Sequence, residues 1–153
     1  MLMKLSAQDD ISAPIEDVFA VYSDFEGLEA AARRHGIEIA RTGSDPLAWR
    51  AHGDIRGRRT AVDIVLGRCE RPRRIDIAAS SSRLTGDLAV EFTALARGRT
   101  RVQATVTLEA QSIPARMLLQ TLKLGHKQLQ ARFAARMTAF AVHVGKGRGA
   151  ADL

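Results

Sequence analysis

The sequence predicts an α+β fold in which a seven-stranded antiparallel sheet is followed by one long C-terminal helix, with two short helices between the first and second strands. Two observations carry this reading. From Ile37 the hydrophobic period is two for about seventy residues, broken repeatedly by turn-forming sequences. From Ser112 the apolar residues instead recur every three or four positions and no strand pattern returns.

The opening strand is residues 3–12, with Met3, Leu5, Ala7 and Ile11 on one side and Asp9 in the same phase. Pro14 suits the first turn of a helix, and Glu16 and Asp17 complement the positive end of its dipole. Ile15, Val18, Phe19 and Tyr22 give that helix a single apolar stripe. Gly27 is expected to loosen the chain before a second short helix through EAAARR, which Gly36 ends. Six strands follow at 37–41, 47–55, 60–67, 74–82, 87–96 and 101–110, separated by GSDP, RGRR, ERPRR, RLTG and RGRT. In the last two, Leu88, Val90, Phe92 and Ala94 share one side, and Val102, Ala104, Val106 and Leu108 share one side of their neighbour. Such a sheet is dry on one face and wet on the other. Ser112 and Pro114 start the long helix, expected to run unbroken to about Val144, roughly 45 Å at 1.5 Å per residue. Its buried stripe reads Leu118, Leu122, Gly125, Leu129, Phe133, Met137, Phe140 and Val144. One domain over 1–144 and a disordered glycine-rich tail over 145–153 complete the expectation.

The 153 residues carry a formal charge of +6, the excess being almost all arginine, which favours phosphates, carboxylates or anionic lipid surfaces as partners. These arginines fall in separate loops rather than along one helix face, and aromatics are sparse, which argues against nucleic acid. One cysteine, Cys69, and four scattered histidines give neither a disulfide nor a metal-ligand spacing, so no metal or other cofactor is expected. Without a long apolar run, the chain reads as soluble and cytoplasmic.

The stretch ISAPIEDVFAVYSD at 11–24 has an apolar strand end, Ala-Pro, acidic residues and an aromatic pair on the first helix. With the element order over 3–144, it resembles the helix-grip fold of the START and pollen-allergen-like (SRPBCC) superfamily, which includes polyketide cyclase/dehydrase and lipid-transport proteins. The resemblance implies a sheet curved around the long helix, two short helices bracing that helix, and a cavity between helix and sheet for a hydrophobic or amphipathic ligand. Its lining would be Trp49, Gly53, Val62, Ile64, Ile77, Val90, Phe92, Val106, Leu122, Gly125 and Leu129, with His126 at its edge. Strand phase points the same way. Trp49, Ala51, Gly53 and Ile55 face inward, as do Ile75, Ile77, Ala79 and Ser81, and small residues opposite the helical Gly125 leave either a close contact or a space.

Trp49 reads either as an aromatic wall for a ligand or as core needing a partner for its indole N–H. His126 reads as an acid, base or donor at the cavity edge, or as a half-exposed residue at a stripe boundary. His52 and Asp54 share the strand face opposite Trp49, which makes them a surface pair. Asp9 and Arg41 are charged groups in phase with apolar sides; turned inward they would pair with each other or orient a ligand. Neighbouring arginines are expected to lower the pKa of Cys69, yet no histidine stands near it to form a nucleophilic dyad. No complete catalytic set can be assembled. Three functions stay open: a binder or transporter of a small hydrophobic molecule; a cyclase, aromatase or dehydratase using Asp9, Arg41 and His126; and a basic module docking on a membrane, RNA or protein. Hairpin alternation places Arg33, Arg34, His35, RGRR and Arg83 at one sheet end, the cavity mouth by resemblance, where they would favour an acidic head group. The other end, with RCERPRR and RGRTR, is equally basic.

Overall fold

A computed structural model describes residues 1–55 and 57–153; the RGRR segment includes Arg56, which lies outside the described residues. Seven strands form one antiparallel sheet: β1 (Leu2–Ile11), β2 (Glu38–Ser44), β3 (Leu47–Ile55), β4 (Arg58–Glu70), β5 (Arg74–Ser80), β6 (Thr85–Ala96) and β7 (Arg99–Glu109). Their order is β1-β7-β6-β5-β4-β3-β2, so every hairpin partner is a neighbour and only β1 crosses over, to β7. The alternation in β6 and β7 meets in register, with Leu88 opposite Val106, Val90 opposite Ala104 and Phe92 opposite Val102.

Helices α1 (Ile15–Tyr22) and α2 (Phe25–Arg34) lie between β1 and β2, as the sequence predicts. Pro14 precedes the first turn of α1, and the fully buried Thr100 donates its hydroxyl to the Ala13 carbonyl at 2.8 Å, tying the entry of α1 to β7. Phe19 and Tyr22 of α1 meet Phe92 edge-on with ring centroids 5.2 Å apart in both cases, and Tyr22 also meets Phe140 of the C-terminal helix at 4.6 Å. Through this aromatic contact α1 braces the C-terminal helix, as the family resemblance implies.

Four local expectations are corrected. Gly27 does not loosen the chain but lies inside α2, because the Asp24 side chain caps the helix at the Gly27 N–H, 3.1 Å away. β4 continues through a bulge after Leu66 to Glu70, so Arg68, Cys69 and Glu70 belong to a strand. The long helix is two helices, α3 (Ile113–Leu124) and α4 (His126–Gly145). At Gly125 (φ −101°, ψ 23°) the N–H turns back to the Leu122 carbonyl at 3.1 Å, and glycine's backbone freedom makes this the easiest place for the helix to break. Finally, the tail expected to be disordered folds back on α2. Ala150 is fully buried within a 3-10 turn (Ala150–Asp152), His143 Nε2 lies 2.7 Å from the Gly149 carbonyl, and Arg34 donates to the Leu153 carbonyl.

The apolar interior is divided. One cluster joins α1, the far half of α4 and the sheet around Ile75, Val90, Phe92 and Val102. A second, smaller one joins Met3, Ala110, Ala115 and Leu119 beneath α3. α4 runs along β1, where Gln130 and His126 bond to the strand's outer main chain.

Candidate functional site

One rung of paired residues crosses the sheet and ends in the smaller cluster: Trp49, Ile64, Ala79, Gly86, Leu108 and Met3. Its centre is Ala79 beside Gly86, where the Leu108 side chain stands 3.1 Å from the place a Cβ would take. Val62, Ile64 and Val106, all on this face, are partly exposed and join neither buried cluster.

A groove of about 830 Å³ lies at the sheet end where the β3–β4 and β5–β6 connections meet α3, and Trp49, Val62, Ile64 and Val106 are not among the residues that line it. Ile55, Leu84, Leu118 and Leu122 give it apolar walls, and Arg58, Arg59 and Arg83 stand on its rim. Leu122 is the lining residue the sequence singled out. The lining also includes Arg50, Ala61, Asp63 and Ser80, which stand on the strand phase opposite Trp49, so the groove is not built from the inward face that the sequence predicted.

Each other predicted residue has a defined place. Val90 and Phe92 are packed into the larger cluster, with Ile77 against it, while Leu129 packs on the smaller one. Gly53 is half-buried, with open space where a Cβ would stand. Gly125 is the helix break already described. His126 is exposed and donates from Nε2 to the Lys4 carbonyl at 2.9 Å, which fixes the proton on that nitrogen and directs the ring to the sheet edge.

Trp49 is 4 % exposed and its indole N–H donates to Glu29 Oε1 at 3.1 Å, while its ring tilts against Phe25 with centroids 5.6 Å apart. The same carboxylate receives Arg41 Nε at 2.6 Å. Arg41 therefore pairs with Glu29 and not with Asp9, whose Oδ1 accepts the Thr138 hydroxyl at 2.7 Å. Glu29 escaped the sequence reading because α2 lies twelve residues before Arg41, although its position on the inner side of the EAAARR helix was a usable signal. Burial pushes the Glu29 carboxyl up, but the hydrogen bonds from Arg41 and Trp49 and the charges of Arg41 and Arg33 outweigh it and hold the group below its ordinary value. For Tyr22, burial and secondarily the charge of Asp9 push the phenol up. The Cys69 thiol is raised rather than lowered, since burial outweighs the opposing charge of Arg71.

Both basic ends combine paired and unpaired arginines. At the far end Arg68 pairs with Glu70, Arg71 with Glu16, Arg74 with Asp76 and Glu91, and Arg99 and Arg101 with Asp10. Arg73 and Arg97 at that end have no ion-pair partner among the described residues; at the groove Arg50 pairs with Asp63 and Arg59 with Glu38, and Arg58 and Arg83 have none.

No family model matches the chain, and no curated protein matches it. Solved structures do. TTHA0849 from Thermus thermophilus is 19 % identical with a TM-score of 0.68, covering 93 % of this chain and 97 % of its own. The Zhui aromatase/cyclase from Streptomyces is 15 % identical with a TM-score of 0.67, covering 94 % of both chains. A START superfamily protein from Mycobacterium smegmatis is 18 % identical with a TM-score of 0.54, covering 88 % of this chain and 98 % of its own. Together with the strand order and the placement of the helices, these likenesses establish that the chain has the helix-grip fold of the START and pollen-allergen-like superfamily.

Proposed function

We propose that the protein binds a small amphipathic molecule, its apolar body along the strip of Ile64, Val62 and Leu122 and its acidic head at Arg58 and Arg83. The observation that supports this reading is a groove that sets the apolar Leu118 and Leu122 beside Arg58 and Arg83, with Val62 and Ile64 partly exposed and joining neither buried cluster. Apolar surface of this kind gains by receiving a ligand, and a guanidinium recognises a carboxylate through two parallel hydrogen bonds. Asp9, Arg41 and His126 are engaged at three separate places, with Thr138, Glu29 and Lys4, which favours binding over the cyclase reading.

Anilinonaphthalene sulfonate, itself an anionic apolar probe, tests the proposal directly. The probe is expected to brighten in the groove and to be displaced by a medium-chain fatty acid at roughly tenfold lower concentration than by its methyl ester. Val62→Trp, which fills the strip, should abolish the signal while the thermal melt is retained. No brightening with the native protein, or the same signal from a folded Val62→Trp variant, would overturn it.

A further inference from the structure

Large apolar side chains left in solvent gather at the groove end of the sheet. Leu2, Ile37, Ile55, Ile113, Met117 and Leu124 are all exposed and stand where β1 begins, α2 passes to β2, β3 ends and α3 crosses. On α3 the exposures reach 73 % for Ile113, 65 % for Met117 and 90 % for Leu124. At about 100° per residue these three fall within about 40° of one another, one stripe on the solvent side of the helix. The opposite side is also apolar: Ala115 and Leu119 are fully buried, and Leu118 and Leu122 wall the groove. α3 thus has two apolar faces, of which the fold uses one.

Charge decides what covers the other. Arg116 and Lys123 flank the stripe on one side and have no ion-pair partner among the described residues. A second copy packed stripe to stripe would bring these cations against their own equivalents on a chain of charge +6. A surface that is apolar inside and anionic outside complements both features together.

We propose that α3 docks on an anionic lipid bilayer, with Ile113, Met117 and Leu124 entering the headgroup–acyl boundary and Arg116 and Lys123 contacting lipid phosphates. The break at Gly125 lets α3 take its own direction while α4 stays on β1. The groove mouth, walled by Leu118 and Leu122 of the same helix, then opens beside the membrane. Docking stands independently of what the groove binds, since the stripe and its flanking charges lie outside the groove.

The test is co-sedimentation with vesicles of phosphatidylcholine alone and with about one-third phosphatidylglycerol. The protein should bind the anionic vesicles, ignore the neutral ones, and release at about 0.5 M salt. Met117→Ser with Leu124→Ser, or Arg116→Glu with Lys123→Glu, should each weaken binding about tenfold or more, whereas Arg97→Glu at the far sheet end should change nothing. An environment-sensitive dye at Leu124→Cys, in a Cys69→Ser background, should shift to the blue on anionic vesicles. Absence of binding to anionic vesicles, an equal loss from Arg97→Glu, or a native dimer that Leu124→Ser converts to a monomer would each overturn the proposal, the last because a second copy would then be the occupant.

Discussion

The Gln130 carboxamide closes on both main-chain groups of Ser6, accepting its N–H at 2.9 Å and donating to its carbonyl. One turn earlier His126 donates to the Lys4 carbonyl. Residues four apart on a helix advance about 6 Å and residues two apart on a strand about 6.8 Å, so the side chains of α4 replace a neighbouring strand over two rungs of β1. Gln130→Ala should lower stability by about 1 kcal/mol and speed amide exchange at Ser6 while leaving the β6–β7 ladder unaffected. Exchange at Ser6 unchanged from the native protein would contradict this.

Glu29→Ala strands the buried Trp49 N–H and should cost about 1–3 kcal/mol, read as a fall in Tm with a change in tryptophan emission. Glu29→Gln retains an acceptor for the indole and should cost less. The folded-state pKa of Glu29 lies below its ordinary 4.5, so its contribution is complete above that value and is lost as pH falls through the folded pKa. Acid unfolding should therefore be shallower in Glu29→Gln than in the native protein.

Phe92→Ala opens a hole among Phe19, Tyr22 and the larger cluster and should cost about 3–5 kcal/mol, a large part of the stability of a domain this size. Val62→Ala, on the solvated strip, should cost about 1 kcal/mol or less. Equal costs in urea melts would mean that the strip is packed like the core.

Gly125→Ala should stabilise the protein by about 0.5–1 kcal/mol. Its φ is negative, an added Cβ would meet nothing nearer than the Leu122 carbonyl at 3.8 Å, and alanine reduces the freedom of the unfolded chain. A lower Tm would show that the break needs glycine.

Gly27→Ala should act in the opposite sense. Its Cβ would fall 2.3 Å from Asp24 Oδ2 and 2.9 Å from the Ala151 N, forcing the helix cap or the returning tail to move. The expected loss is about 1–2 kcal/mol, with faster proteolysis after residue 145.

The sheet was legible because strand alternation is a local signal: Val90 and Ala104 sit in phase on their own strands before they meet in register. The order of strands and helices followed from such local signals, whereas the brace formed by the short helices was implied only by the family resemblance. What escaped was long-range. Glu29 and Arg41 meet across a helix and a bulged strand, and nothing near either residue specifies the other. The tail reads as disordered from its glycines, yet Ala150 is held by α2, more than a hundred residues earlier. At the groove the inner phase of the strands was readable, but the lining comes from hairpin ends, α3 and outer-phase residues such as Arg50 and Asp63, and which arginines are paired depends on carboxylates distant in sequence.

The clasp of α4 on β1 also governs how copies of this protein can join through their backbones. One border of the sheet is already occupied by a helix, so hydrogen-bonded growth is confined to β2, where the Arg41–Gly43 irregularity and the charged Glu38 and Arg41 make a poor template. Loosening α4 would free a ten-residue strand with alternating apolar side chains, and ribbon-like polymers seeded from that newly bared border are the failure to expect when α4 is cut away.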